Sequence, residues 1–128
     1  MFARAPLAPG GLAVTGAHGL ATTRSILHVA TASGEPEVIA RALRNVLRYC
    51  AESSTFSVAI PGLGMGTGGL PRERCAEIFR DALADHAAAA APRLVRIVLW
   101  TRRDHEAFER ALSGDPRFSR VADDTAGS

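Results

Sequence analysis

Five glycines crowd one short stretch of this 128-residue chain, Pro61-Gly62-Leu63-Gly64-Met65-Gly66-Thr67-Gly68-Gly69-Leu70-Pro71. A tight strand-to-helix turn needs one or two glycines, so the excess points to a ligand. Glycine lets the backbone approach a phosphate with no Cβ in the way, and it permits the positive-φ turns that aim successive N–H groups at an anion. The stretch follows the apolar run Phe56-Ser57-Val58-Ala59-Ile60 and opens a helical pattern whose N-terminus adds partial positive charge. The chemistry implied is a diphosphate cradle over Gly64 to Gly69, with Arg72 or Arg74 near enough to assist. Thr67 could donate its hydroxyl to a phosphate or cap the helix. Trp100, the single tryptophan, stands at a strand end either as a core ring or as a surface for stacking a base. His28 falls mid-strand with no carboxylate or nucleophile placed to use it and reads as a core histidine, while His18 and His105 read as surface residues. Cys50 and Cys75 lie in helical patterns without metal-ligand spacing and read as buried apolar residues, so no metal and no other cofactor is expected.

Seven elements must position these groups. Leu12 to Thr15 and Ser25 to Thr31 predict two strands connected closely enough for a hairpin. From Pro36 onward Ile39, Ala42, Leu43, Val46 and Cys50 recur at helical spacing, opposite a solvated face of Arg41, Arg44, Arg48 and Glu52. A strand over 56–60 leads through the glycine stretch to a second helix, with Pro71 near its first turn and Cys75, Ile78, Phe79, Ala82, Leu83 and His86 as its buried stripe. Leu94 to Trp100, apolar on both faces except at Arg96, predicts a central strand of a parallel sheet. Asp104 is expected to cap a last helix running through Phe108 and Leu112. This order gives an α/β layered domain with a mixed sheet, in which ligands bind at the carboxyl ends of strands. Two such ends carry unusual chemistry: the glycine stretch after Ile60 and Trp100-Thr101-Arg102-Arg103 after Leu99.

Composition bounds the rest. With 47% hydrophobic and 22% charged residues the chain suits one domain, expected over residues 11–113 between a loose arm (1–10) and a polar tail (114–128). No apolar run approaches the roughly 18 residues of a membrane span, and a cytoplasmic protein is expected. A net charge of +2 is too small to imply specific nucleic-acid binding. Every basic residue is arginine, which reflects compositional bias before any phosphate specificity.

From Gly11 to about Leu112 the chain resembles the C-terminal two-thirds of a macro domain, the ADP-ribose-binding module. The signals are Val14-Thr15 followed by Leu20, then Ile26-Leu27-His28, then Ala59-Ile60-Pro61 with its glycine loop closing on Leu70-Pro71, and finally Val98-Leu99-Trp100 before Phe108. The family's N-terminal third, with its first two strands, its Asn-Ala-Ala-Asn-type stretch and its first glycine-rich loop, has no counterpart. The resemblance implies a three-layer α/β fold with a shortened mixed sheet flanked by helices. It places Gly62, Gly64, Met65, Gly66, Thr67, Gly68 and Gly69 around the diphosphate and distal ribose, and Trp100 against adenine. It implies binding of ADP-ribose or a related nucleotide diphosphate without catalysis, because the absent third supplies the adenine-binding acid and the residues that position substrate and water in the family's ADP-ribosyl hydrolases. One absent strand belongs between the strands near Phe56 and Ser25, so either those two pair directly or another chain fills the gap, as a homodimer or a companion chain. Two other classes remain: a degenerate module kept for assembly, and a fragment of an NADP-binding Rossmann-like oxidoreductase using Gly64-x-Gly66-x-x-Gly69 with Arg102 and Arg103.

Overall fold

A computed structural model describes residues 12–16, 25–29, 34–66 and 68–118. The expected arm, most of the tail, the turn with His18, and Thr67 lie outside the described residues, as does the side chain of His28. The elements run β1 (Leu12–Gly16), β2 (Ser25–Val29), α1 (Pro36–Glu52), β3 (Ser57–Pro61), α2 (Arg72–Asp85), β4 (Leu94–Val98) and α3 (Arg102–Leu112). All seven expected elements form in the expected order.

The helices form where apolar residues recur at three and four, and each starts at a residue fitted to a helix entrance. Pro36 opens α1 at a position where its missing N–H costs nothing. Val38, Ile39, Ala42, Leu43, Val46, Leu47 and Cys50 make its buried face. Pro71 precedes α2, whose Cys75, Ala76, Ile78, Phe79, Ala82 and Leu83 are buried. Its end is tied down by His86, whose Nε2 lies 2.8 Å from the carbonyl of Ala91. The cap of α3 differs from the expectation. Thr101 is the N-cap, its hydroxyl accepting from the Asp104 N–H at 3.1 Å, while Asp104 stands at the third helical position and accepts from the Thr101 N–H at 3.3 Å. The pair is a capping box, which satisfies two end donors where a lone Asp would satisfy one.

Packing centres on α2, which lies against α1 on one side and α3 on the other. Phe79 is fully buried and meets Phe108 of α3 edge to face, with centroids 5.3 Å apart and planes at 72°. Both cysteines are free and buried, as their apolar surroundings required.

The strands form two pairs. β1 and β2 are antiparallel, with Val14 opposite Leu27, and β3 and β4 are parallel, with Ile60 opposite Ile97. Among the described residues β2 and β3 do not pair, so direct closure of the gap between them is not what the chain adopts. β3 and β4 turn Val58, Ile60, Val95 and Ile97 toward the helical core. Their other face carries Ser57, Ala59, Pro61, Leu94, Arg96 and Val98, all exposed. β4 is therefore covered on one side only, although its apolar sequence anticipates cover on both. Among the described residues no layer overlies Leu94 and Val98, which are 40% and 55% exposed. No helix of the described residues is long and apolar enough to cross a membrane.

Candidate functional site

The parallel pairing of β3 and β4 brings their carboxyl ends side by side, Pro61 opposite Val98. The glycine loop leaves one end and the Leu99-Trp100-Thr101 segment leaves the other. A cleft of about 500 Å³ opens between them, lined by Gly62, Met65, Gly66 and Leu70 of the loop and by Leu99 and Trp100 opposite, with Arg72 and Asp104 at the helix entrances.

The loop's glycines divide by task. Gly64 adopts φ +80, and a Cβ there would press on the Ile39 side chain at 2.7 Å. A Cβ on Gly68 would stand 2.8 Å from the Gly64 carbonyl oxygen and 3.0 Å from the Gly34 backbone, and a Cβ on Gly34 would run into the Gly68 carbonyl. Gly34, Gly64 and Gly68 thus let the loop lie backbone to backbone against the entrance of α1. Gly69, at φ +76, makes the turn toward α2, and Met65 folds its thioether over Gly62. At Gly66 nothing stands within 4 Å of where a Cβ would be, and its φ is not in the left-handed region. No packing demand of the fold calls for glycine at that position.

The loop also bonds to itself. The N–H of Gly69 donates to the Gly66 carbonyl at 3.1 Å, that of Leu70 to the Gly64 carbonyl at 2.9 Å, and that of Met65 to the Gly62 carbonyl at 3.4 Å. Those three amides are taken up within the loop. Among the described residues no hydrogen bond takes the N–H of Gly64, Gly66 or Gly68.

Trp100 is 96% exposed. This settles its two readings against a core ring, and it leaves the indole at the rim of the cleft. Of the two arginines expected near the loop, Arg72 reaches the cleft, whereas Arg74 bonds Glu77 at 3.2 Å on an exposed helix face. Arg102 and Arg103 are exposed and do not line it. Sequence reasoning missed the pairing of Arg72 with Asp104, Nε to Oδ1 at 2.7 Å. The Arg72 guanidinium, with help from Thr101, holds the Asp104 carboxyl below its usual range, and the Asp104 bond raises Arg72 in turn. Beneath the loop the Cys75 thiol faces the Leu63 carbonyl at 3.4 Å. Burial, then the charge of Asp104, pushes its pKa up to about 12.

A model of the macro domain family matches residues 2–79. The chain belongs to the macro domain family. A macro domain-containing protein of Caldanaerobacter subterraneus is 30% identical over 77 residues, 60% of this chain and 44% of that protein. Another, from Cupriavidus necator, is 34% identical over 82 residues, 62% of this chain and 47% of that one. The macro chain described here thus spans less than half the length of these curated relatives. The Oceanobacillus iheyensis macrodomain solved with ADP superposes with a TM-score of 0.74 at 23% identity, covering 83% of this chain and 58% of that one. A mutant of the same protein, solved with ADPR, superposes at 0.75. That likeness is one of fold, and it confirms the α/β macro architecture. Family membership also displaces the Rossmann alternative, since the glycine pattern falls within the residues that the macro family model matches.

Proposed function

We propose that this macro domain binds ADP-ribose or a related adenine nucleotide diphosphate between the glycine loop and Trp100, without turning it over. The observation that carries the reading is the meeting, at adjacent strand ends, of a glycine loop with amides unbonded among the described residues and a 96% exposed indole. The amide of Gly66, which lines the cleft, suits a diphosphate, Gly64 and Gly68 shape the loop behind it, and the indole suits the base. A volume of about 500 Å³ falls within the range of small-molecule sites. ADP and ADPR occupy the Oceanobacillus iheyensis macrodomain, which shares the fold. Binding without turnover accords with the ionisable groups beside the cleft: Asp104 is engaged by Arg72 and the α3 cap, and the Cys75 thiol stays protonated at neutral pH. We place this binding in the cytoplasm, where free nucleotides are held. Calorimetric titration with ADP-ribose, ADP, NAD and NADP tests it. ADP-ribose and ADP should bind most tightly. A preference for NADP would favour a dinucleotide site, and no heat with any of the four would refute the reading.

A second reading concerns assembly, favoured by the bare face of β3 and β4. Parallel strands occur almost only with both faces covered, and unpaired edges invite another strand. We infer that a companion segment or a second copy completes the sheet beside β3. Arg96, mid-face, would meet its own copy in a two-fold face-to-face stack, so a homodimer is expected to pair edge to edge. Light scattering showing only monomer at tens of micromolar would overturn the second copy and leave a companion chain as the form of this reading.

A further inference from the structure

Arg72 is held in an unusual way for a residue at a helix entrance. Its Nε is taken by Asp104, and among the described residues nothing bonds its terminal nitrogens. Asp104 is itself immobilised. It is 6% exposed, its Oδ2 takes the Thr101 N–H, and its own N–H donates to the Thr101 hydroxyl, so the carboxylate is fixed to the first turn of α3. The guanidinium is therefore oriented across the α2 and α3 entrances before any ligand arrives, with its Nη donors left over. Arg72 and Gly66 line the same cleft, with Trp100 at its rim. The other nearby carboxylate, Glu73, acts on Arg72 through its charge and lies 3.8 Å from Arg110. An anion entering the cleft meets the Nη donors of Arg72, which the bond from Nε to Asp104 leaves over.

We propose that Arg72 is the residue that selects phosphate-bearing ligands for this cleft, its Nη groups gripping phosphate oxygens beside Gly66, and that Asp104 is the positioning residue that presents it. This rests on the nucleotide-binding reading above and adds to it the residue that discriminates charged from uncharged ligands. The planar fork matters as well as the charge, because two parallel N–H donors match two phosphate oxygens.

The test is calorimetry with ADP and with adenosine, which share the base and differ in the phosphates. Arg72→Gln should weaken ADP about tenfold or more and leave adenosine unchanged. Arg72→Lys, which keeps the charge and loses the fork, should fall between the two. Asp104→Asn should lower the ratio of ADP to adenosine affinity, a readout that general loosening of the fold would not move. If the wild type binds ADP and both Arg72 variants bind it equally well, Arg72 is not a ligand contact, and the nucleotide reading survives alone. If the wild type binds ADP-ribose while neither Arg72 variant changes the ADP to adenosine ratio, the selection proposal likewise falls. If the wild type binds neither ADP nor ADP-ribose, both fall together.

Discussion

Replacing Trp100 with alanine separates contact with a ligand from contact with the fold. At 96% exposure the indole buries almost no surface against the protein, so the variant should lose no more than about 0.5 kcal/mol, the usual range for surface positions. For a domain of this size that is a shift in melting temperature of at most about 3 °C. Binding should respond far more strongly. A base stacked on an aromatic ring contributes about 1 to 3 kcal/mol, which corresponds to roughly fivefold to 150-fold weaker affinity when the ring is removed. The assay is built into the protein. As the single tryptophan, Trp100 should be quenched by ADP-ribose and left unchanged by ribose 5-phosphate, which has no base. Calorimetry then compares ADP-ribose with the wild type and with Trp100→Ala. Equal affinity in both would remove the indole from the site. A fall in melting temperature of about 8 °C or more would show that the ring supports the core after all.

Two loop glycines should respond in opposite ways. A Cβ at Gly66 has no atom within 4 Å, so Gly66→Glu should leave circular dichroism unchanged while the added carboxylate abolishes diphosphate binding; Gly68→Ala forces a Cβ against the Gly64 carbonyl and should cost about 1 to 3 kcal/mol in urea unfolding even without ligand. Phe79→Ala removes a fully buried ring from its edge-to-face contact with Phe108 and should lower unfolding free energy by about 3 to 5 kcal/mol. Because Asp104 has a lowered pKa in the folded protein, its stabilising effect is complete above the unfolded carboxyl value near ~4 and is lost as pH falls through the folded value. Melting curves of Asp104→Asn should therefore lie below wild type at neutral pH and converge with it in acid.

The element order was legible because each segment repeats its apolar residues at one period: Ile39, Leu43, Val46 and Cys50 at helical spacing, and Val58 and Ile60 at strand spacing. The α3 cap was legible too, and was misread. Thr101-Arg102-Arg103-Asp104 has the threonine and the acid three residues apart that a capping box requires, so the helix starts earlier than Asp104 alone suggests. β4 misled for a different reason. An apolar strand signals that a covering layer is wanted, and its sequence cannot say whether these described residues supply it. In the candidate site, residue type and place pointed to the glycine loop and Trp100, of which Gly62, Met65, Gly66 and Trp100 line the cleft. The glycines' division of labour was hidden, because it depends on Gly34, remote in sequence, lying against Gly68. The Arg72 and Asp104 pair was hidden likewise, being made by two helices that the sheet brings together.

The contact of Gly34 with Gly68 has a kinetic meaning. A loop laid backbone to backbone on a helix entrance cannot swing open as a flap unless α1 shifts with it. If the proposed ligand binds here, its arrival should be timed by diffusion to a surface already anchored at Gly64 and Gly68, with little affinity spent on ordering them. Association should look like a single concentration-dependent step, with no slow isomerisation behind it. Position 34, which lines no part of the cleft, becomes a hidden determinant of the proposed binding: any side chain placed there would press on Gly68 and shift the loop, and a screen for lost affinity should recover it beside the loop itself.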